Sequence, residues 1–213
     1  IHELARGSLL NRSSHVWKEP GNKFYHGERT ALLARRLRAG IFPGDTEDAD
    51  ILTVAAWLHD LRNGEEHHQE LGAEDARRLL LPYCTPRELD MITRIIRRHD
   101  DRTAPRESFS RLELLHQDAD LLDHFGCYDV WLYFLLGAHE RMTPGDMVAR
   151  MRRERETDYE YWLSRLNFEL SRRIYREKVR FVASFCDRFE QELRGEVPGW
   201  DELLRGLSED GRA

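Results

Sequence analysis

Apolar positions along the chain recur at three- and four-residue spacings, the period of an amphipathic α-helix, and no stretch alternates convincingly as a hairpin would. A first helix is expected over about 1–11, followed by a polar turn near 11–22. A second, over about 24–39, sets Leu33 and Leu37 in line with His26 and Thr30, and Gly40 ends it. Pro43-Gly44-Asp45 opens a third that runs to Leu58, mostly apolar and so expected to be buried on all sides. A polar loop at 62–66 leads to a fourth helix over about 67–80. Thr85-Pro86-Arg87-Glu88 is a capping box with proline at the first helical position, which starts a fifth helix reaching about Arg98. Ser110-Arg111-Leu112-Glu113 repeats the box and starts a sixth, carrying Asp118, Asp120 and Asp123. Beyond Gly126 come an apolar helix over 128–139, a charged helix capped at Thr143-Pro144-Gly145-Asp146, and a long amphipathic one over 166–193. No internal repeat or low-complexity linker divides the chain. The expectation is an all-α bundle over 1–195, with a loosely held tail at 196–213.

Composition narrows the class. A chain of 213 residues can bury a core large enough to fold without disulfides or a structural metal. Hydrophobic residues at 40% and charged residues at 34% fit a globular protein with a heavily solvated surface. No apolar run approaches the length of a membrane span, so no membrane partner is expected. The opening IHELARGSLLNRSS lacks the apolar core and cleavage site of a secretory signal. The first residue is not methionine, so an upstream segment is expected. Cys84, Cys127 and Cys186 lie far apart and read as free thiols, which points to the reducing cytoplasm. A net charge of -6 weighs against a nucleic-acid polymer as partner. Arginine greatly outnumbers lysine, which reads as genomic base-composition bias.

The strongest chemical feature is Trp57-Leu58-His59-Asp60, a His-Asp pair ending an apolar helix. Burying two adjacent ionisable groups is costly unless something compensates them. A divalent metal compensates both, because neutral imidazole and ionised carboxylate are good ligands for borderline and hard cations. The plainer reading is a histidine capping its own helix and an aspartate starting a loop. Other candidates surround the pair: His26 one helix earlier, His68 at the start of the fourth helix, His99 at the end of the fifth, and Asp120 in the sixth. Each lies at a helix end or on a face turned to the expected core, which a bundle can bring to one point.

The order His26, His59-Asp60, Asp120 resembles the HD superfamily of metal-dependent phosphohydrolases, named for that doublet. Ala55-Ala56-Trp57-Leu58-His59-Asp60-Leu61 is similar to the family's apolar run into its doublet, and Ala119-Asp120-Leu121-Leu122-Asp123 to its final aspartate helix. The resemblance covers roughly 23–126, and implies an HD-domain helical bundle there with a C-terminal helical extension at 127–195. His68-Gln69-Glu70-Leu71-Gly72-Ala73 and His99 resemble members with two extra histidines and a dinuclear site, diadenosine tetraphosphate hydrolases among them. Ile174-Tyr175-Arg176-Glu177-Lys178-Val179-Arg180-Phe181 is more loosely similar to the last helix of bacterial HD-type nucleoside triphosphate pyrophosphohydrolases. Arg62-Asn63-Gly64 departs from the Gly- or Ile-rich continuation common after the doublet, which leaves the substrate class open.

The resemblance implies that His26, His59, Asp60 and Asp120 hold a divalent metal ion (Mn, Fe, Mg, Co, Ni or Zn), and that His68 and His99 bring a second to Asp60. It selects Asp120 over Asp118 and Asp123, and His68 over His67. A histidine favoured by the helix dipole stays open beside the ligand role for His99. Arg29, and with it Arg62, could meet a substrate phosphate, with a surface salt bridge as the alternative for Arg29. His116, His124 and His139 read as core or surface histidines. Trp57, Trp131, Tyr128, Tyr133 and Phe134 read as core filling. The implied reaction is hydrolysis of a phosphoester or phosphoanhydride bond in a small phosphate compound, a nucleotide first, by a water acidified at the metal with Asp60 in the catalytic set. A dinuclear-iron oxygenase and a catalytically idle nucleotide-binding module are the alternatives, and association into a homo-oligomer is left open.

Overall fold

Ten α-helices follow one another in the computed structural model, which describes residues 1–13 and 15–210. They are α1 (His2–Leu9), α2 (Asn22–Ile41), α3 (Ala49–Leu58), α4 (His68–Leu80), α5 (Pro86–Arg97), α6 (Arg111–Asp123), α7 (Cys127–His139), α8 (Pro144–Ser164), α9 (Glu169–Leu193) and α10 (Trp200–Asp210). Among the described residues there is no strand, and no helix is long and apolar enough to cross a membrane.

The two capping boxes form as their sequences require. Thr85 accepts from the Glu88 amide while Glu88 returns to the Thr85 amide, and Ser110 and Glu113 do the same. Each box satisfies two otherwise orphaned helix-start donors. Helix α2 lies between α3 and α6, and its small residues permit the approach. A Cβ on Gly27 would stand 3.0 Å from the Ala56 carbonyl oxygen, so only glycine fits this crossing without a shift.

One apolar cluster joins α1, α3, α4 and α5 through Leu9, Leu58, Leu80, Ile92 and Ile96. A second joins α2, α6 and α9 through Leu37, Leu115, Leu122 and Tyr175. Val148, Met151, Val182 and Cys186 form a third between α8 and α9. Each fully buried leucine or isoleucine contributes about 1.5–3 kcal/mol. As expected, α3 is buried nearly all round, with only Asp50 exposed and Ala49 and Trp57 half-buried.

Several expectations need correction. Gly40 does not end α2, which runs one residue beyond it because the helix-continuing hydrogen bond from Phe42 to the Arg38 carbonyl forms. Pro43-Gly44-Asp45 forms a turn, and α3 starts only after Asp48, which takes a left-handed conformation. Trp131 does not fill the core: it is 53% exposed, and Tyr128, Tyr133 and Phe134 are half-buried. Part of the expected tail is the helix α10, on which Trp200, Leu203 and Leu204 are exposed. Residues 211–213 of that tail lie outside the described residues.

Candidate metal centre

Three helices deliver the four candidate ligands to one point. His26 comes from the first turns of α2, His59 and Asp60 from the residues just past α3, and Asp120 from the last turn of α6. All four are buried. The Nε2 atoms of His26 and His59 stand 3.1 Å apart, and Oδ1 of Asp120 is 3.0 Å from the first and 3.5 Å from the second. Oδ2 of Asp60 closes the group at 3.8 Å from His26 and 3.7 Å from His59. Two ligands each about 2.0–2.2 Å from one ion stand roughly 2.8–3.6 Å apart in tetrahedral or cis-octahedral geometry, close to this spread.

Hydrogen bonds on the far side of each ring fix which nitrogens face inward. His59 donates from Nδ1 to the Ala56 carbonyl at 2.8 Å, and His26 donates from Nδ1 to Oδ2 of Asp123 at 2.8 Å. With the proton on Nδ1, each neutral ring turns an Nε2 lone pair toward the other ring and toward two carboxylates. Four electron-pair donors converge in a buried space, an arrangement that fits a divalent cation by its own chemistry.

The titration tendencies agree. Burial pulls the His26 pKa down, but hydrogen bonds to Asp120 and Asp123 and the nearby Asp60 raise it to about 9, so a proton can occupy the place a cation would take. Burial favours the neutral form of Asp60, yet His59, Lys23 and His26 hold it well below the usual carboxylate range. Asp120 is likewise held down against burial, by His124, His26 and His59.

A second group adjoins the first. Ligand atoms of Asp60, His68 and His99 lie within 4.8 Å of one another, so Asp60 belongs to both groups. His99 donates from Nδ1 to the Ile96 carbonyl at 2.7 Å, which turns its Nε2 inward as in His59. His68 is half-buried, with Nε2 3.7 Å from Oδ2 of Asp100. His67, by contrast, takes a left-handed conformation before α4 and its side chain is 79% exposed.

The three aspartates of α6 divide by helical face. Asp120 enters the ligand group, Asp123 holds the back of His26, and Asp118 points the other way. Asp118 accepts from the amides of Asn167 at 2.7 Å and Phe168 at 3.0 Å, and so anchors the start of α9. Arg29 donates from Nε and Nη2 to Asp123, at 2.8 and 2.9 Å, and lies 3.9 Å over the Tyr128 ring. Arg62 is turned to Asp75 and Glu65.

Four residues near the site were not legible as participants. Lys23 Nζ lies 2.5 Å from Oδ2 of Asp60. Asp123 orients His26 as described. His124 places Nε2 3.7 Å from Oδ1 of Asp120, and its ring is 4.9 Å from that of His26. His116 is wholly buried, its ring 5.0 Å from that of His59. Helical spacing was the available signal. Lys23 precedes His26 by three residues, and His116, Asp123 and His124 stand four before, three after and four after Asp120, all on shared faces.

Comparison with known proteins places this geometry. Residues 24–124 match the family model of the HD domain, which spans both ligand groups. This match supports membership of the HD superfamily for that stretch of the chain. No curated protein matches the chain. Among solved structures it resembles an HD-superfamily hydrolase from Bacillus thuringiensis, at 20% identity, covering 92% of this chain and 95% of that one with a TM-score of 0.62. It also resembles Bacillus subtilis YpgQ in complex with ADP, at 18% identity, covering 94% of each chain with a TM-score of 0.63. A predicted HD-superfamily hydrolase from an uncultured Thermotogales bacterium is similar at 22% identity, covering 90% of each chain with a TM-score of 0.57. At these identities the likeness is one of fold.

Proposed function

We propose that the chain is a metal-dependent phosphohydrolase that cleaves a phosphoester or phosphoanhydride bond in a small phosphate compound, a nucleotide in the first instance. The observation that carries this reading is the convergence of two Nε2 lone pairs and two buried carboxylates at separations of 3.0 to 3.8 Å. In this reading His26, His59, Asp60 and Asp120 hold one divalent cation, and Asp60, His68 and His99 hold a second. Such a centre supplies Lewis acidity, acidifying a water and neutralising charge on phosphoryl oxygens.

The chain's own residues prepare that chemistry. The Ala56 and Ile96 carbonyls and Asp123 fix the tautomers of His59, His99 and His26, so their lone pairs face inward before anything binds. Lys23 and Asn63 hold the two oxygens of Asp60, at 2.5 and 3.1 Å, and orient the carboxylate shared by both groups. Arg29 acts through Asp123 as a positioning residue.

Two facts support a small nucleotide as substrate. A structural neighbour, YpgQ, was solved with ADP. The net charge of -6 gives no broad field to hold a polyanion, whose affinity depends on many phosphate contacts. Elemental analysis of the purified protein, followed by a screen of nucleotides and simple phosphoesters, tests the reading. Turnover of free nucleotides with little salt dependence is expected. Strongly salt-sensitive nuclease activity with inertness toward every free nucleotide would overturn it. The group of Asp60, His68 and His99 also favours a second reading, a dinuclear-iron oxygenase. Bound iron with oxygen uptake, and no phosphate release, would select that one.

A further inference from the structure

A cavity of about 210 Å³ opens where the segment after α5 meets the start of α9, and four of its lining residues are Arg102, Arg106, Arg165 and Arg172. These cations come from three separate segments, so no single helix face explains their meeting. Arg102 donates from Nη2 to the Gln117 carbonyl at 2.8 Å, while its Nη1 is buried and meets no acceptor among the described residues. Arg165 donates from Nη1 to the Arg102 carbonyl at 2.6 Å, and its Nε is likewise buried without an acceptor. Arg172 donates to the Leu166 carbonyl at 2.7 Å and stands 3.8 Å from the exposed Glu169. Arg106 is exposed, its guanidinium 5.5 Å over the Phe168 ring.

Asp120, Asp118 and Asp100 act on Arg102 only through space, with no hydrogen bond or ion pair to it, and the one carboxylate in the lining, Asp101, is committed elsewhere. Its Oδ1 accepts from the amides of Thr103 and Ala104 and from the Thr103 hydroxyl, and its Oδ2 faces Arg98 at 3.7 Å. The Gln117 amide nitrogen is committed to the carbonyls of Arg98 and Asp101. Cationic donors buried without acceptors are expensive, and like charges gathered in one cavity add repulsion. An oxyanion resolves both costs, and a planar guanidinium matches the edge of a phosphate group through paired hydrogen bonds.

We propose that this cavity is a second anion site, which holds a phosphate group through Arg102, Arg106, Arg165 and Arg172 apart from the metal ligands. It does not depend on the phosphohydrolase reading. Calorimetric titration of inorganic diphosphate into the full, metal-free chain tests it, with Arg106→Ala, Arg172→Ala and His59→Ala alongside the wild type. Diphosphate should bind once per chain, each arginine variant should weaken it about tenfold, and His59→Ala should leave it unchanged. The same titration with ADP separates a free anion from a nucleotide's phosphate chain, and binding of either that falls in the arginine variants supports the site. Arg106 is exposed, so its truncation leaves the fold intact. Arg172→Lys replaces Arg172→Ala if circular dichroism shows the latter misfolded. No binding of either anion, undiminished binding in both arginine variants, or loss confined to His59→Ala overturns the proposal.

Discussion

Helices α2 to α6 and helices α7 to α9 differ in how many polar groups they bury. The first set encloses polar groups: His26, His59, Asp60, His99, His116, Asp120 and Asp123 are all buried. The second set encloses few, Asp129 and Ser171, while both sets leave apolar residues exposed, Leu32 in one and Trp131 in the other. Two aspartates six residues apart make the contrast quantitative. Burial raises the pKa of both, but His26 and Arg29 bring Asp123 down to about 2. Burial prevails at Asp129, which rises to about 6 although Arg155 lies beside it. A buried carboxylate is held below its ordinary pKa where several cationic or donor partners converge, as they do on Asp60, Asp120 and Asp123 around the candidate ligands.

The largest effect should come from removing a ligand. His59→Ala or Asp60→Ala is expected to lower hydrolysis by at least about 10³-fold and to abolish metal retention, since such a centre contributes several kcal/mol to the reaction. Helical content by circular dichroism should stay near wild type. Equal metal content and turnover in wild type and variants would remove the distinction between the two regions. Asp123→Asn should act one step down. It loosens the hold on His26 and should weaken metal affinity by about 10–100-fold, whereas Asp118→Asn should leave metal binding intact because that side chain serves α9. Metal titration of both variants decides this, and a loss only in Asp118→Asn would reverse the assignment.

The same contrast explains what the sequence disclosed. The helices were legible because capping boxes and apolar periods are local signals, as at Thr85 and Ser110. The C-terminal half misled at Trp131, where an apolar helix reads as buried although little packs on one side of it. At the site, the six candidate ligands follow from residue type, order and family resemblance. Lys23 and His124 were missed because their roles depend on contacts across helices, such as Lys23 to Asp60. Arg29 could be singled out by its place one turn after His26, but its partner, 94 residues away, could not.

Two glycines sharpen the comparison at the level of packing. A Cβ on Gly27 would meet backbone, the Ala56 oxygen at 3.0 Å and the Trp57 oxygen at 3.2 Å. A Cβ on Gly137 would meet Met147 first, its Cε at 2.8 Å and its Cγ at 3.2 Å, an unbranched side chain that can adjust where backbone cannot. Both substitutions gain helix propensity of about 1 kcal/mol, but only Gly27→Ala forces helices α2 and α3 apart. Gly27→Ala should cost about 1–2 kcal/mol net and Gly137→Ala less than about 0.5, read from denaturant midpoints. Equal costs would mean that the two regions are packed with the same rigidity.

The last effect concerns the two aspartates and is visible only as a function of pH. Asp123 has a folded-state pKa near 2, below its ordinary value of 3.8, so its contribution to stability is present above 3.8 and is lost as pH falls through about 2. Asp129 has the opposite sign. Its folded-state value of about 6 lies above 3.8, so between these values the native state holds a proton that the unfolded chain has released. Stability from this group therefore declines as pH rises from about 4 and is gone once pH passes the folded value. Between pH 5 and pH 7 the wild type should lose about 1 kcal/mol through Asp129 that Asp129→Asn does not lose. His26, raised to about 9, adds its own decline as pH rises above its ordinary 6.5, but it is common to both proteins and cancels in their difference. Urea denaturation of wild type and Asp129→Asn across this range measures that difference directly. A pH-independent difference would mean that Asp129 is ionised throughout, held by Arg155 as firmly as Asp123 is held by His26 and Arg29.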